Sequence, residues 1–168
     1  GIPKDPRAAE IRVIKETQFS VLLDGAYNMA IVVAKSAVGQ ALEKASEHGF
    51  GMVGANNTYS SSGAIGYYAR AIADAGFIGC IFASSPPRVA THGSYEPVFG
   101  TNPFAIGFPT SDQPVVLDMA TAAIANYGII EAETAGLDLP SGLTYDSNGV
   151  LTTSPAEAMQ GAIRPFDR

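Results

Sequence analysis

The sequence predicts an α/β domain built on a mixed, partly antiparallel sheet, and three observations predict it. Strand-like apolar stretches take turns with stretches whose apolar residues recur at helical spacing. Two strand-like stretches follow one another directly near the start, which a purely parallel sheet does not provide for. The run Gly49-Phe50-Gly51-Met52-Val53-Gly54 matches the dinucleotide-binding pattern G-x-G-x-x-G, yet it follows a helix-like stretch and would itself form a strand. In a Rossmann unit those glycines follow a strand and open the helix whose N-terminus holds the phosphates. The match is therefore read as coincidence, and the fold as one other than Rossmann.

The elements follow in order. GIPKDPRAA is an extended lead-in. IRVIKET (11–17) and FSVLLDG (19–25) read as an antiparallel strand pair, the second ending at the turn Asp24-Gly25. Asn28 is placed to cap the next element, MAIVVAKSAVGQALEKASEH (29–48). There Ile31, Ala34, Val38, Leu42 and Ala45 mark an apolar face, and Glu43, Lys44 and Glu47 a wet one. His48 falls in the last turn, where a cation favours the helix dipole, and Gly49 ends the helix. FGMVGA is a strand, NNTYSSS a polar loop, and GAIGYYARAIADAG a second helix closed by Gly76. FIGCIFA is a strand whose apolar character makes Cys80 a buried, inert thiol.

Residues 84–103 show little periodicity and hold four prolines, a 20-residue loop of the length that usually serves function or an interface. FAIGF and PVVLD are strands. The stretch after Asp118 is helical to about Gly136. LPSGLTYDSNGVLTTSPAEAMQ is turn-rich and ends in a short helix, with Ser154 capping and Pro155 in its first turn. Asp118 is the one carboxylate in VVLDMATAAIANYG. It either caps the following helix or sits at a strand-to-helix junction where backbone N–H groups hold an anionic ligand.

The chain's 168 residues are enough for one domain with a core. It is 46% hydrophobic and only 15% charged, against a usual charged share of roughly 25%. Net charge is −6, and residues 89–163 contain no Lys or Arg. Nucleic-acid binding, which needs clustered cations, is excluded as a reading, and an anionic membrane surface is disfavoured for the same reason. No apolar run approaches the roughly 18 residues of a spanning helix, no signal peptide is present, and the cytoplasm is the expected compartment. His48 and His92 lack metal-ligand spacing, so no metal is expected. No G-x-S-x-G elbow, Walker loop or HExxH appears, and no catalytic residue is assignable from the residues alone.

Several stretches, in order, carry a resemblance: EHGFGMVGANNTY, GYYARAIADAGFIGCIFASSPP, GTNPFAIGFPT, VVLDMAT, LPSGLTYDSNGVLTTSPAEAM and RPFDR. Together they are similar to the malate/L-lactate dehydrogenase family of non-Rossmann type. That family includes sulfolactate and ureidoglycolate dehydrogenases, diketogulonate reductase and reductases of cyclic imine carboxylates. GTNP followed by LDMAT is the specific pair.

The resemblance implies a three-layer α/β/α cofactor domain with a mixed sheet. It implies hydride transfer between NAD or NADP and a small 2-hydroxy or 2-oxo acid such as malate or lactate, in a cytoplasmic homodimer. It also implies cofactor contacts from Ser85 and from Pro114, Val115, Val116, Leu117, Asp118, Met119 and Ala120.

Family members carry a Ser-His-Gly motif upstream, whose His is an acid/base in part of the family, and a Lys-Gly motif after the Pro-Phe segment. The chain begins after the first and stops before the second, so it is expected to be the central cofactor-binding domain, 1–168, of a longer dehydrogenase, inactive alone. Where many members have a His, this chain has Tyr59. A phenol with an unperturbed pKa near 10 is a poor base at neutral pH, which leaves orienting substrate, donating a proton or packing. The alternative is a catalytically silent module that binds a nucleotide or a partner. The flanking motifs in the parent reading frame discriminate the two.

Overall fold

A computed structural model describes residues 4–166. The first three residues of the lead-in and the last two of RPFDR lie outside the described residues. In chain order the elements are β1 (Arg12–Glu16), β2 (Ser20–Asp24), α1 (Ala30–His48), β3 (Met52–Asn56), α2 (Gly66–Asp74), β4 (Gly79–Phe82), β5 (Val89–Ala90), β6 (Pro97–Phe99), β7 (Phe104–Phe108) and β8 (Val115–Met119). They continue with α3 (Asn126–Ala135), β9 (Thr144–Tyr145), β10 (Leu151–Thr152), α4 (Pro155–Gln160) and β11 (Ala162–Ile163). The class is mixed α/β, as read. The strands are shared among three sheets, ordered β1-β2-β3, β4-β7-β8 and β10-β9-β11-β5-β6. The chain divides into two compact units, Gly1–Ile81 with Ala105–Leu117, and Phe82–Phe104 with Asp118–Arg168.

In the first unit, β1 and β2 pair antiparallel with Arg12 opposite Asp24. β2 and β3 pair parallel with Ser20 opposite Met52, which makes this sheet mixed. Val21 and Leu23 are buried, and the fully buried Val33 comes from α1. Gly49 caps α1 with φ 79° and donates to Ala45 O at 2.8 Å, the left-handed close that glycine adopts without penalty. At Gly51 a Cβ would stand 2.2 Å from Ala41 O of α1. The glycine-rich run thus serves a helix cap and close helix–strand packing, and it continues into β3.

Several expectations are corrected here. Asn28 does not cap α1: Met29 is the N-cap residue, without a side-chain bond. The Asn28 amide instead donates to Ala9 O and Gly25 O, because the tight turn after Asp24 needs those bonds first. Ile31 is 45% exposed, about 100° round the helix from Ala30 and so off the stripe that Ala30 and Val33 bury. Lys44 is not on a wet face: its side chain is only 12% accessible, and Nζ donates to Glu16 Oε1 at 2.9 Å and Thr17 O at 2.8 Å. Cys80 is exposed. Gly79 is buried against Ile72 of α2, and the two-residue period of β4 turns Cys80 to the opposite face.

In the second unit a core of Val89, Ala122, Ile129, Leu139, Ala158 and Ile163 forms where α3 and α4 pack by the five-stranded sheet. The long loop of residues 84–103 contains β5 and β6, two- and three-residue strands too short to leave a periodic signal. LPSGLTYDSNGVLTTSPAEAMQ includes the hairpin β9–β10. Ser154 caps α4 by accepting from Glu157 N, with Pro155 in the first turn, as read.

Asp24 anchors the end of β2. Its carboxylate accepts from Ala26 N at 2.9 Å, from Arg12 Nη2 at 2.5 Å and from Asn57 Nδ2 at 3.2 Å. The Ala26 amide first, then Arg12 and Asn57, hold its pKa below the ordinary 3.8. A lowered folded pKa contributes stability that is present above the unfolded pKa and lost as pH falls through the folded one. Asp24→Asn is therefore expected to lower the melting temperature at pH 7, with the gap from wild type closing on acidification below the carboxylate range. An equal gap at neutral and acidic pH, followed by circular dichroism, would contradict this.

Candidate functional site

Three of the motif segments meet in the second unit. Ser85 lies in the loop after β4, and its Oγ accepts from Thr101 N at 3.0 Å and lies 3.3 Å from Thr101 Oγ1. Thr101 belongs to GTNP, the segment that enters β7. Its carbonyl accepts from Thr121 N at 2.9 Å, and Thr121 Oγ1 donates to Thr101 O and Asn102 O, both at 3.2 Å. Thr121 ends LDMAT. ASSPP, GTNP and the end of LDMAT are thus tied hydroxyl to backbone, and the side chains of Ser85, Thr101 and Thr121 form an exposed or half-buried row of O–H groups. Gly100 makes this possible: a Cβ there would stand 2.3 Å from Ser85 O and 2.5 Å from Ser85 Oγ. Asn102 takes φ 39°, a left-handed conformation that Asn tolerates better than most residues.

The structure places the expected site residues as follows. Pro114 precedes β8 and is half-buried. Val115 and Leu117 are exposed, Val116 is half-buried, and these four belong to the first unit. Asp118 is exposed within β8, Met119 is half-buried, and Ala120 follows the strand; these three belong to the second unit.

Asp118 does not cap a helix. α3 starts at Asn126, with Ala125 as its N-cap residue. The intervening backbone is spent on tertiary bonds: Thr121 N to Thr101 O, Ala123 N to Arg164 O, and Phe166 N to Thr121 O. The capping reading of Asp118 is thereby removed. Gly100, Thr101 and Thr121 were not singled out from the sequence, although each lies in a motif that carried the resemblance.

The chemistry of the donors fits a nicotinamide dinucleotide in its neutral parts. Hydroxyls and an exposed carboxylate match ribose hydroxyls and a carboxamide. Among the described residues of this unit, Arg88 and Arg164 are engaged elsewhere: Arg88 donates to Asn126 Oδ1 at 3.1 Å and Met159 O at 2.9 Å, and Arg164 to Gly142 O at 2.8 Å. A phosphate here relies on backbone N–H groups. The hollow lined by Asp146, Asn148 and Glu157 is acidic and includes none of the expected site residues. Among the described residues no set of three His, Cys, Asp or Glu is gathered to hold a metal, and no helix is long and apolar enough to cross a membrane.

Tyr59 lies in the first unit, half-buried. Its N donates to Asn28 O and its carbonyl accepts from Ala30 N, both at 2.8 Å. Tyr68 of α2 pins the same loop, donating to Ser62 O at 2.7 Å, and burial pushes its pKa up.

The profile of the malate/L-lactate dehydrogenases matches residues 5–167. The chain belongs to this family. It is 36% identical over 157 residues to the L-sulfolactate dehydrogenase of Methanocaldococcus jannaschii, covering 94% of this chain and 45% of that protein. It is 40% identical over 161 residues to hydroxycarboxylate dehydrogenase B of Escherichia coli O157:H7, covering 92% and 44%. The crystal structure of malate dehydrogenase from Entamoeba histolytica superposes with a TM-score of 0.89 at 28% identity, over 94% of this chain and 45% of that one. The chain thus spans a little under half the length of the relatives it matches, and the family fold agrees with the rejection of a Rossmann unit.

Proposed function

We propose that the chain is the cofactor-binding domain of a longer NAD- or NADP-dependent dehydrogenase. It acts on a small 2-hydroxy or 2-oxo acid of the malate or lactate kind, as a cytoplasmic homodimer. The observation that carries the reading is the joining of ASSPP, GTNP and LDMAT through Ser85, Thr101 and Thr121 in a member of this family.

Ser85, Asp118 and the backbone of residues 114–120 would hold the cofactor, and a nicotinamide supplies the hydride when bound. The Asp118 carboxylate would accept hydrogen bonds from hydroxyl or amide donors of the cofactor. Ser85 Oγ accepts from the Thr101 amide, which holds the hydroxyl oxygen in place. Rigid placement of this kind converts binding into orientation at the reacting carbon. The relatives' remaining length is the expected source of the acid/base. The 168-residue chain alone is therefore expected to turn over 2-oxo acids about 10²–10⁴-fold more slowly than the full-length protein, the usual cost of a missing proton-transfer group. Steady-state assays with NADH and NADPH check this. Equal turnover by the short chain would assign proton transfer to its own residues, Tyr59 first.

A further inference from the structure

The first unit holds a second group of polar side chains that the dehydrogenase reading does not use. β2 and β3 run parallel, and the segments leaving their C-terminal ends are laced together. Gly25 N donates to Asn56 O, Tyr27 N to Asn57 O and Tyr59 N to Asn28 O, each at 2.8 Å. The carboxyl ends of parallel strands are where open α/β sheets place ligands. Backbone strain is concentrated there: Ala26, Tyr27, Asn57 and Ser60 have φ of 45°, 56°, 51° and 61°. For alanine, serine and above all tyrosine this conformation carries a cost that the surrounding structure must overcome.

On this base Arg7 is held from two directions. Its Nε and Nη2 donate to Asp5 Oδ1 and Oδ2 at 3.0 and 2.9 Å, and its guanidinium lies 4.0 Å over the Tyr27 ring. Asp5 is buried, whereas the Arg7 side chain is 63% accessible and its Nη1 lies outside the fork to Asp5. A merely structural strap does not need this arrangement. Ala9 N to Ala26 O at 3.1 Å and Asn28 Nδ2 to Ala9 O at 2.6 Å already fasten the lead-in to the loop.

We propose that Arg7 and Tyr27 form a recognition site for the acid group of a small carboxylate. Arg7 donates from the edge left open by Asp5, held there by that carboxylate and by the Tyr27 ring beneath it. A guanidinium has fixed fork geometry and matches a planar carboxylate at two points. Asp5 offsets its charge, so a spherical anion gains little. The inference does not depend on a cofactor.

The test is a titration of malonate into the protein, followed by amide NMR, with sodium chloride at matched ionic strength as the control. Malonate is expected to shift Tyr27 and residues 57–60, and chloride not to. Arg7→Met should weaken malonate about tenfold, the loss of one charge-assisted contact. Tyr27→Gly removes both the ring and the left-handed penalty, so it should raise the melting temperature while weakening malonate. A structural role for Tyr27 does not predict that split. Arg7→Lys keeps the charge but loses the fork, and it is read in the same way if Arg7→Met does not fold. A raised KM for the 2-oxo acid in full-length Arg7→Met identifies the acid as substrate; an unchanged KM with malonate binding lost identifies a separate acid. Equal malonate affinity in wild type and the Arg7 variants, or shifts reproduced by chloride, overturns the proposal.

Discussion

Replacing Gly100 with alanine is expected to lower the melting temperature by roughly 2–12 °C. The new Cβ would meet Ser85 O at 2.3 Å, Ser85 Oγ at 2.5 Å and Asn102 Oδ1 at 2.9 Å, and the first of these is backbone. Neither side can retreat cheaply. Moving residue 85 away breaks Thr101 N to Ser85 Oγ, and moving GTNP strains Ala83 N to Pro103 O at 3.1 Å. Overpacking of this kind costs about 1–3 kcal/mol, and one kcal/mol shifts a domain of this size by about 2–4 °C. Gly39→Ala is the control. It lies in α1 with nothing within 4 Å of the added carbon, and it should be neutral or stabilising by about 0.5–1 kcal/mol. Thermal unfolding followed by circular dichroism checks both. Similar behaviour of the two variants would mean that Gly100 does not hold ASSPP against GTNP.

Asp118→Asn is expected to weaken NADH or NADPH binding by the full-length protein by at least about fivefold, with the melting temperature of the cofactor-free form nearly unchanged. The helix-capping role that would have tied Asp118 to stability is absent, since α3 starts at Asn126. The Asp118 carboxylate stands one residue before the end of β8. An amide of the same shape accepts on one side only, so a donor that the carboxylate satisfied is left poorly matched. In a site covered by its ligand that mismatch costs on the order of 1–3 kcal/mol, or about 5- to 150-fold in affinity. Titration of NADH and NADPH fluorescence against both proteins measures it. A lowered melting temperature with unchanged affinity would make Asp118 a structural residue.

What the sequence discloses follows from where the chain spends its backbone hydrogen bonds. The β1–β2 pair was legible because two strand-like stretches follow one another with only a short break, and the second stops at Asp24-Gly25. The cap of α4 was legible because Ser154, Pro155 and Glu157 act within a single turn. The start of α3 was not: Ala120 to Ala125 is good helix material, but the N–H groups of Thr121 and Ala123 go to Thr101 and Arg164. Those partners are distant in sequence and carry no local signal. Cys80 failed for a related reason, since an apolar run does not say which face of its sheet is covered.

The site divided in the same way. LDMAT marked Asp118 through the family resemblance, whereas Ser85, Thr101 and Thr121 became one feature only when the fold joined them. Arg7 and Tyr27 gave no sequence signal, because their pairing depends on a left-handed tyrosine.

The most direct test of the central claim is the oxidation of NADH and NADPH by the full-length protein, followed by nicotinamide absorbance with pyruvate, oxaloacetate and other small 2-oxo acids. The account predicts turnover of at least one such acid by the wild type, with a raised KM for the cofactor in Asp118→Asn. A correctly folded full-length protein that neither binds NADH or NADPH nor turns over any of these acids would contradict it.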